Sequence, residues 1–245
     1  MYEQVAARYD EDRERFSIPR DDVVDQLLAS RPGVRVLDVG CGTGSWLAAQ
    51  RGFFGDAPVT FVGADPSPAM LAEARAKGVP NLMRARAEDL PLEDEAIHYL
   101  TSRYCFHHFQ DKDRAVDEIV RVLAPGGLFR ITNIEPTAAQ GWWVYECFPE
   151  TVALDAARFW SPERTTEALE AHDLTVEILL DTGGEEISAA EALADAERRV
   201  VSELALLDDE AYERGLAELR RAAEVPAATV TTTRSRLQLT ARRTR

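Results

Sequence analysis

The run Val36-Leu37-Asp38-Val39-Gly40-Cys41-Gly42-Thr43-Gly44 constrains this chain more than any other, because a short apolar stretch breaks there into three alternating glycines. Val34 to Val39 reads as a parallel strand buried on both faces, and a helix is expected from about Ser45. Glycines between such a strand and helix permit tight turns and let a ligand approach the backbone where any Cβ would clash. The loop alone is weakly diagnostic. Dinucleotide-binding folds have similar glycines, but Ser45 stands where their third glycine would fall.

The same alternation continues downstream. A strand is expected at Val59 to Ala64, a helix at Pro68 to Lys77 closed by Gly78, a short strand near Asn81 to Arg84, and a strand at Ile97 to Ser102. Ala115, Ile119 and Val122 then mark a helix, and Pro125-Gly126-Gly127 a turn into a strand at Leu128 to Asn133. Strands alternating with helices imply an α/β fold on a parallel sheet with right-handed crossovers. Upstream, a helix is expected through Tyr9 to Arg15, and another carries Val23, Val24, Leu27 and Leu28.

After Glu135 the rhythm changes to an aromatic-rich segment holding Trp142, Trp143, Tyr145 and Phe148 and ending at Trp160. A helix from Pro162 to Ala171 and a strand at Leu174 to Leu180 resume it. Leu193, Ala196, Val200, Leu204 and Leu207 form one helical stripe, and Tyr212, Leu216, Leu219 and Ala223 another. A final strand is expected near Thr231 to Thr240.

The chain has 245 residues, 28 Lys plus Arg against 43 Asp plus Glu, and a formal net charge of -15. Such a field repels phosphate backbones and anionic membranes, which disfavours nucleic acid or a membrane as partner. Neither a signal peptide nor a membrane span is expected, so the location is expected to be cytoplasmic. Cys41, Cys105 and Cys147 lie far apart without ligand spacing, and neither a disulfide framework nor a metal site is expected.

Two further segments carry chemistry. Asp65 ends the second strand in Val62-Gly63-Ala64-Asp65-Pro66-Ser67-Pro68-Ala69-Met70, where a carboxylate suits the ribose hydroxyls of an adenosine; a helix-capping turn acid is the plainer reading. Pro66 and Met70 are candidates to pack on the adenine. Ala85-Arg86-Ala87-Glu88-Asp89-Leu90-Pro91 follows the third strand, with the Ala87 amide and the Glu88 carboxylate as readers of the adenine edge.

In this order the motifs resemble class I S-adenosylmethionine-dependent methyltransferases of the small-molecule branch that includes quinone-biosynthesis enzymes, over about residues 5 to 135. The resemblance implies a Rossmann-like, seven-stranded, mainly parallel sheet with an antiparallel last strand and helical lid insertions. It implies S-adenosylmethionine as cofactor, with Gly40, Cys41 and Gly42 at its methionine part, Asp65 at the ribose, and Ala87 and Glu88 at the adenine. Arg103, in Thr101-Ser102-Arg103-Tyr104-Cys105-Phe106-His107-His108, is a further contact candidate, and Tyr9 belongs to a cap over the cofactor. Two departures stand out: Arg86 where many relatives have an acid, and His98 where relatives tend to have Asp.

His107 or His108 is the candidate base, since an imidazole changes charge near neutral pH; packing and helix-start roles are equally open. Trp142, Trp143, Tyr145 and Trp160 are candidate acceptor-binding residues, with a structural core role open beside it. The expected organisation is a cap helix over 1–20, a cofactor-binding core over 21–135, and the remainder over 136–245 with lid segments at 136–160 and 185–226. Those segments are equally suited to a homodimer interface. The expected activity is methyl transfer to a small-molecule acceptor of aromatic or natural-product character, the alternative being a cyclase or isomerase that keeps the cofactor on this fold. A nicotinamide-dependent oxidoreductase is disfavoured by the missing third glycine.

Overall fold

The computed structural model describes residues 10, 18–139, 141–199 and 201–244. The helix expected at Tyr9 to Arg15 and the candidate Tyr9 itself therefore lie outside the described residues. The chain divides into two compact units, one of Met1–Asn133, Pro162–Ile178 and Gln238–Arg245, the other of Ile134–Ser161 and Leu179–Leu237.

In the first unit, helix α1 (Asp22–Ser30) starts where the Asp21 side chain accepts the Val23 amide, a cap that satisfies one orphan N–H. Strand β1 (Val34–Val39), α2 (Ser45–Phe54), β2 (Val59–Asp65), α3 (Pro68–Ala76), β3 (Leu82–Arg84), β4 (Ile97–Arg103) and α4 (Lys112–Val122) follow. Strands β1, β2, β3 and β4 pair in parallel, with Asp38 opposite Gly63 on one side and Thr101 on the other. Val36, Leu37, Leu47, Tyr99 and Leu100 are buried beneath and within this sheet. Each such side chain contributes about 1.5–3 kcal/mol on leaving water, so the sheet centre holds the unit together.

Strand β5 runs over Leu123–Ile134, not from Leu128 as expected. The expected turn is accommodated inside it as an irregularity, since Ile97 pairs with Leu123 while Tyr99 pairs with Leu128. Gly126 takes a φ of +71°, which lets Pro125-Gly126-Gly127 loop out without ending the strand.

Helix α7 (Pro162–Glu170), which follows α5 (Trp143–Cys147) and α6 (Glu150–Arg158) of the second unit, is again part of the first unit, as are the start of β6 (Leu174–Ser188) and the end of β7 (Thr229–Arg243). The strand order is β3-β2-β1-β4-β5-β7-β6. Order reverses between β1 and β4, the switch point at which open α/β sheets leave a crevice beyond the carboxyl ends of the strands. Thr244 donates from its amide and its hydroxyl to the Asp173 carbonyl, 3.4 and 2.8 Å, so β7 runs antiparallel to β6.

The second unit has its own core. Helices α5 (Trp143–Cys147), α6 (Glu150–Arg158), α8 (Ala189–Glu197) and α9 (Asp209–Ala223) bury Trp143, Val144, Phe148, Ala196, Leu204, Tyr212 and Leu216 together. Phe148 stacks on Tyr212 with ring centroids 6.1 Å apart. A Cβ on Gly215 would come within 2.2 Å of the Phe148 ring, so α9 can approach only because that residue is glycine.

Two expectations change here. The stripe from Leu193 to Leu207 is not one helix: α8 ends at Glu197, Arg199 takes a φ of +51°, and Ser202–Leu206 forms a 3-10 turn. Ala196 and Leu204 still reach one core from either side of the break, which the helical spacing alone could not distinguish. Strand β6 also continues past Leu180 to Ser188, although Gly183 and Gly184 weaken a strand pattern. Bonds from β7 sustain it, Arg236 to Asp181 at 3.1 Å and Thr231 to Glu186 at 2.8 Å.

Candidate functional site

The carboxyl ends of β1, β2 and β4 bring Asp38, Asp65 and Arg103 to one end of the sheet. After β1 the chain turns back over β2, because the Gly40 and Cys41 amides both donate to the Ala64 carbonyl, 2.8 and 3.1 Å. Gly40, Gly42 and Gly44 all have positive φ. Gly40 also has no room, since a Cβ would lie 2.5 Å from Cys105 Sγ, and a Cβ on Gly44 would lie 2.8 Å from that of Ala74. Gly42 differs: among the described residues nothing lies within 4 Å of its missing side chain, which leaves an approach to its backbone.

Asp65 is buried and bridges two elements. Its Oδ2 accepts the Gly42 amide at 2.9 Å and its Oδ1 the Ser67 amide at 2.8 Å, joining the glycine loop to the start of α3. Ser67 then caps α3 through the Met70 amide at 3.3 Å. Asp65 is thus a turn acid whose two oxygens are oriented by the glycine loop and the start of α3. Pro66 is exposed, whereas Met70 is buried.

Asp38 received no role from the sequence, yet its environment is the most unusual of the unit. Its Oδ1 is shielded from solvent and has no hydrogen-bond partner. Burial, partly offset by the Arg103 charge and reinforced by Asp65 and Asp21, pushes its pKa up to about 7. The Arg103 guanidinium also lies 5.6 Å over the Trp46 ring. One sequence signal was available: Asp38 is the acid in a strand that is apolar apart from Arg35 near its start, and a buried carboxylate without compensation is costly.

The loop is further held by the one described residue of the amino-terminal segment. Asp10 Oδ1 accepts from Thr43 Oγ1 at 2.8 Å and Ser45 Oγ at 2.9 Å, and Lys77 Nζ bonds both Asp10 Oδ2 and the Thr43 carbonyl. Burial works to raise the Asp10 pKa, but the bonds from Lys77, Thr43 and Ser45 prevail and hold it low. Asp10 stands beside Tyr9 in the segment that resembles a cap over the cofactor, but its bonds to Thr43, Ser45 and Lys77 were not foreseeable, because residues 33 or more apart in sequence meet only in the fold.

Ala87 is buried. Glu88 Oε1 accepts the Gln110 and Asp111 amides at 2.7 and 3.1 Å, and Oε2 lies 3.9 Å from Arg86 Nε. Glu88 therefore ties its loop to the start of α4. His107 is buried and His108 half-buried in a short 3-10 turn, their rings 4.0 Å apart. Cys105 Sγ bonds the Val39 carbonyl at 2.9 Å and burial pushes its thiol up to about 12, while burial raises that of Cys41 further still. Both thiols are structural groups of the loop rather than nucleophiles.

In the second unit, Trp143 is buried in the core, whereas Trp142, Tyr145 and Trp160 are partly exposed. Tyr145 donates to Asp155 Oδ2 at 2.8 Å. Asp155 is fully buried and its pKa is pushed up to about 7 by burial and by Glu203. Among the described residues no cluster of His, Cys, Asp and Glu is arranged to hold a metal ion, and no helix is long and apolar enough to cross a membrane.

A glycine loop after β1, an acid ending β2 and a reversal of strand order between β1 and β4 are the arrangement by which open α/β sheets receive a nucleoside at the carboxyl ends of their strands. Residues 37–131 match the profile of a methyltransferase domain family. A demethylmenaquinone methyltransferase of Thermus thermophilus is 34% identical over 146 residues, 56% of this chain and 65% of that protein. A ubiquinone/menaquinone biosynthesis C-methyltransferase of Vibrio campbellii is 33% identical over 139 residues, 52% of this chain and 53% of that protein. The chain thus spans about half to two thirds of the length of these curated relatives. Among solved structures, a protein assigned as a methyltransferase of an antibiotic biosynthesis pathway from Anabaena variabilis superposes with a TM-score of 0.69 at 20% identity, covering 91% of this chain and 98% of that one. The [4+2]-cyclase SpnF superposes with a TM-score of 0.58 at 22% identity, covering 100% of this chain and 94% of that one. At such identities the structures share the fold alone.

Proposed function

We propose that this chain transfers the methyl group of S-adenosylmethionine to a small-molecule acceptor of aromatic, quinol-like character. The observation that carries the reading is Asp38, a buried carboxylate with an unpartnered oxygen at the strand ends, beside an open glycine backbone. Such an atom calls for a cation or donor from outside the chain, and the ammonium of an amino acid supplies it. Asp65 ends β2 with its carboxylate oriented by the Gly42 and Ser67 amides, the place of a ribose-binding acid in this topology, and among the described residues nothing covers the side-chain face of Gly42. The residues present therefore fit the cofactor, with Gly40 to Gly42, Asp38 and Arg103 near its methionine part and Asp65 at its ribose. Ala87 with Glu88 remains the adenine-side candidate, its carboxylate already half engaged by the start of α4.

When bound, the cofactor supplies a methyl group already activated on a sulfonium. The chain's own contribution is alignment in a dry site and, where the acceptor must lose a proton, acceptance of that proton by His107 or His108. The curated relatives carry quinone-biosynthesis names, and Trp142, Tyr145 and Trp160 offer partly exposed aromatic surface, which favours a flat acceptor. A homodimer through the second unit fits the same exposed surface.

Calorimetry with S-adenosylmethionine, its demethylated product and NAD tests the cofactor assignment. Binding of the first two but not NAD is expected, and the reverse overturns it. Product mass with a quinol acceptor tests the transfer: a product heavier by one methylene is expected, whereas an isomer of unchanged mass would place the chain with the cyclases of this fold.

A further inference from the structure

Beyond the crevice at the carboxyl ends of the strands, the first unit has a second recess at their amino ends. An open groove of about 580 Å³ is lined by Arg31, Pro32, Gly33, Val34, Arg35, Pro58, Thr60 and His98. Arg31 follows the last residue of α1, Arg35 and His98 lie near the starts of β1 and β4, and Pro58 and Thr60 belong to the entry of β2.

The polar lining consists of donors. The Arg35 amide donates to His98 Nδ1 at 2.9 Å, so the neutral ring carries its proton on Nε2 and presents it as a donor. Neither the Arg31 nor the Arg35 guanidinium has a hydrogen bond or ion pair among the described residues, and Arg31 Nη1 is shielded from solvent without an acceptor. Thr60 adds an exposed hydroxyl. Among the described residues no carboxylate lines the groove, although the chain carries 43 Asp plus Glu against 28 Lys plus Arg. Two unpaired arginines side by side run against that balance. Burial, followed by the Arg31 and Arg35 charges, lowers the His98 pKa, which places both guanidiniums close enough to act on the ring.

We propose that this groove binds a phosphate group, free or as the monoester of a small molecule, at the end of the sheet opposite the glycine loop. Two guanidinium forks, the His98 Nε2–H and the Thr60 hydroxyl match a compact oxyanion that accepts several charge-assisted bonds at once. Pro32 and Pro58 give the groove apolar walls beside this donor set, suited to the organic part of a monoester. His98 thereby gains a role that an aspartate there would deny: either side chain can accept the Arg35 amide, but a carboxylate would repel the anion. The inference does not depend on the methyl-transfer reading.

The experiment follows the His98 ring by proton NMR, assigned with His98→Gln, during titration with inorganic phosphate, with phenyl phosphate, and with chloride at matched ionic strength. A saturable shift with both phosphates and a raised His98 titration midpoint are expected, with phenyl phosphate binding more tightly if the monoester is the true ligand. Arg31→Gln and Arg35→Gln should each weaken binding by about tenfold or more, the scale of a lost charge-assisted bond, while melting temperature and binding of the demethylated cofactor stay unchanged. Should either variant fold poorly, Arg31→Lys and Arg35→Lys keep the charge without the fork and should still weaken binding measurably. A shift that follows ionic strength equally in chloride, or phosphate binding indifferent to both arginines in folded protein, would overturn the site.

Discussion

Two carboxylates, one in each unit, are buried to the same degree and carry opposite meanings. Asp38 and Asp155 are both pushed up to about 7, burial being the main cause for each. Asp155 has more of its company within the chain: Tyr145 donates to Oδ2 at 2.8 Å, and Arg158 Nη1 stands 3.7 Å from Oδ1 as an ion-pair partner, although that Oδ1, like the one of Asp38, accepts no hydrogen bond among the described residues. Asp38 has the pull of the Arg103 charge and an oxygen with no hydrogen-bond partner among the described residues, next to a loop that is open at Gly42. A buried charge answered by its own chain reads as architecture. One left unanswered beside an open backbone reads as a socket for a ligand.

The largest expected effect tests whether the first unit also supplies the base. His107→Ala or His108→Ala should lower turnover by about a hundredfold to ten-thousandfold with little change in cofactor affinity. Turnover near wild type in both single variants would assign catalysis to alignment alone. Next is Phe148→Ala, which empties the centre of the second unit's core and should cost about 3–5 kcal/mol of that unit's stability in a denaturant titration. Binding of the demethylated cofactor should persist under native conditions; its loss in parallel with the second unit's melting would erase the division of labour drawn here.

Asp65→Ala should weaken the cofactor by about 1.5–3 kcal/mol by calorimetry while the fold survives. The smallest effects sharpen the comparison itself. A carboxylate with a raised folded pKa contributes stability that is fully present below its unfolded value and is lost as pH rises through the folded one. Both acids should therefore make the protein less stable between about pH 4 and 7, and Asp38→Asn and Asp155→Asn should each flatten that decline in melting curves. Saturating demethylated cofactor should remove the Asp38 contribution, since its ammonium favours the charged carboxylate, and leave that of Asp155 in place. Equal sensitivity of both sites to the cofactor would break the distinction.

Much of the first unit was legible because its signals are local. β1 occupies Val34–Val39 as expected, and the positions of Gly40 and Gly42 in the turn after it and of Asp65 at the end of β2 follow from a strand, a turn and a helix start within a few residues of one another. The second unit was less legible. Its helical stripe spans a break at Arg199, and the spacing of Ala196 and Leu204 satisfies one helix as well as two elements packed on a shared core. Glu88 is another case: its place in the motif was visible, but its bonds to the Gln110 and Asp111 amides depend on the path of a loop 22 residues away.

Alternation of apolar strands with amphipathic helices, and glycines where a strand must hand over to a helix, were determined by the sequence alone, because backbone sterics and burial act over neighbouring residues. Only the tertiary structure decided which polar groups go unanswered. The orphaned oxygen of Asp38, the grip of Asp10 and Lys77 on Thr43, the Tyr145 bond to one oxygen of Asp155, and the donor-lined groove of Arg31, Arg35 and His98 all turn on what the fold brings together. Desolvation and pairing depend on what the whole fold brings near, or fails to bring near, each group.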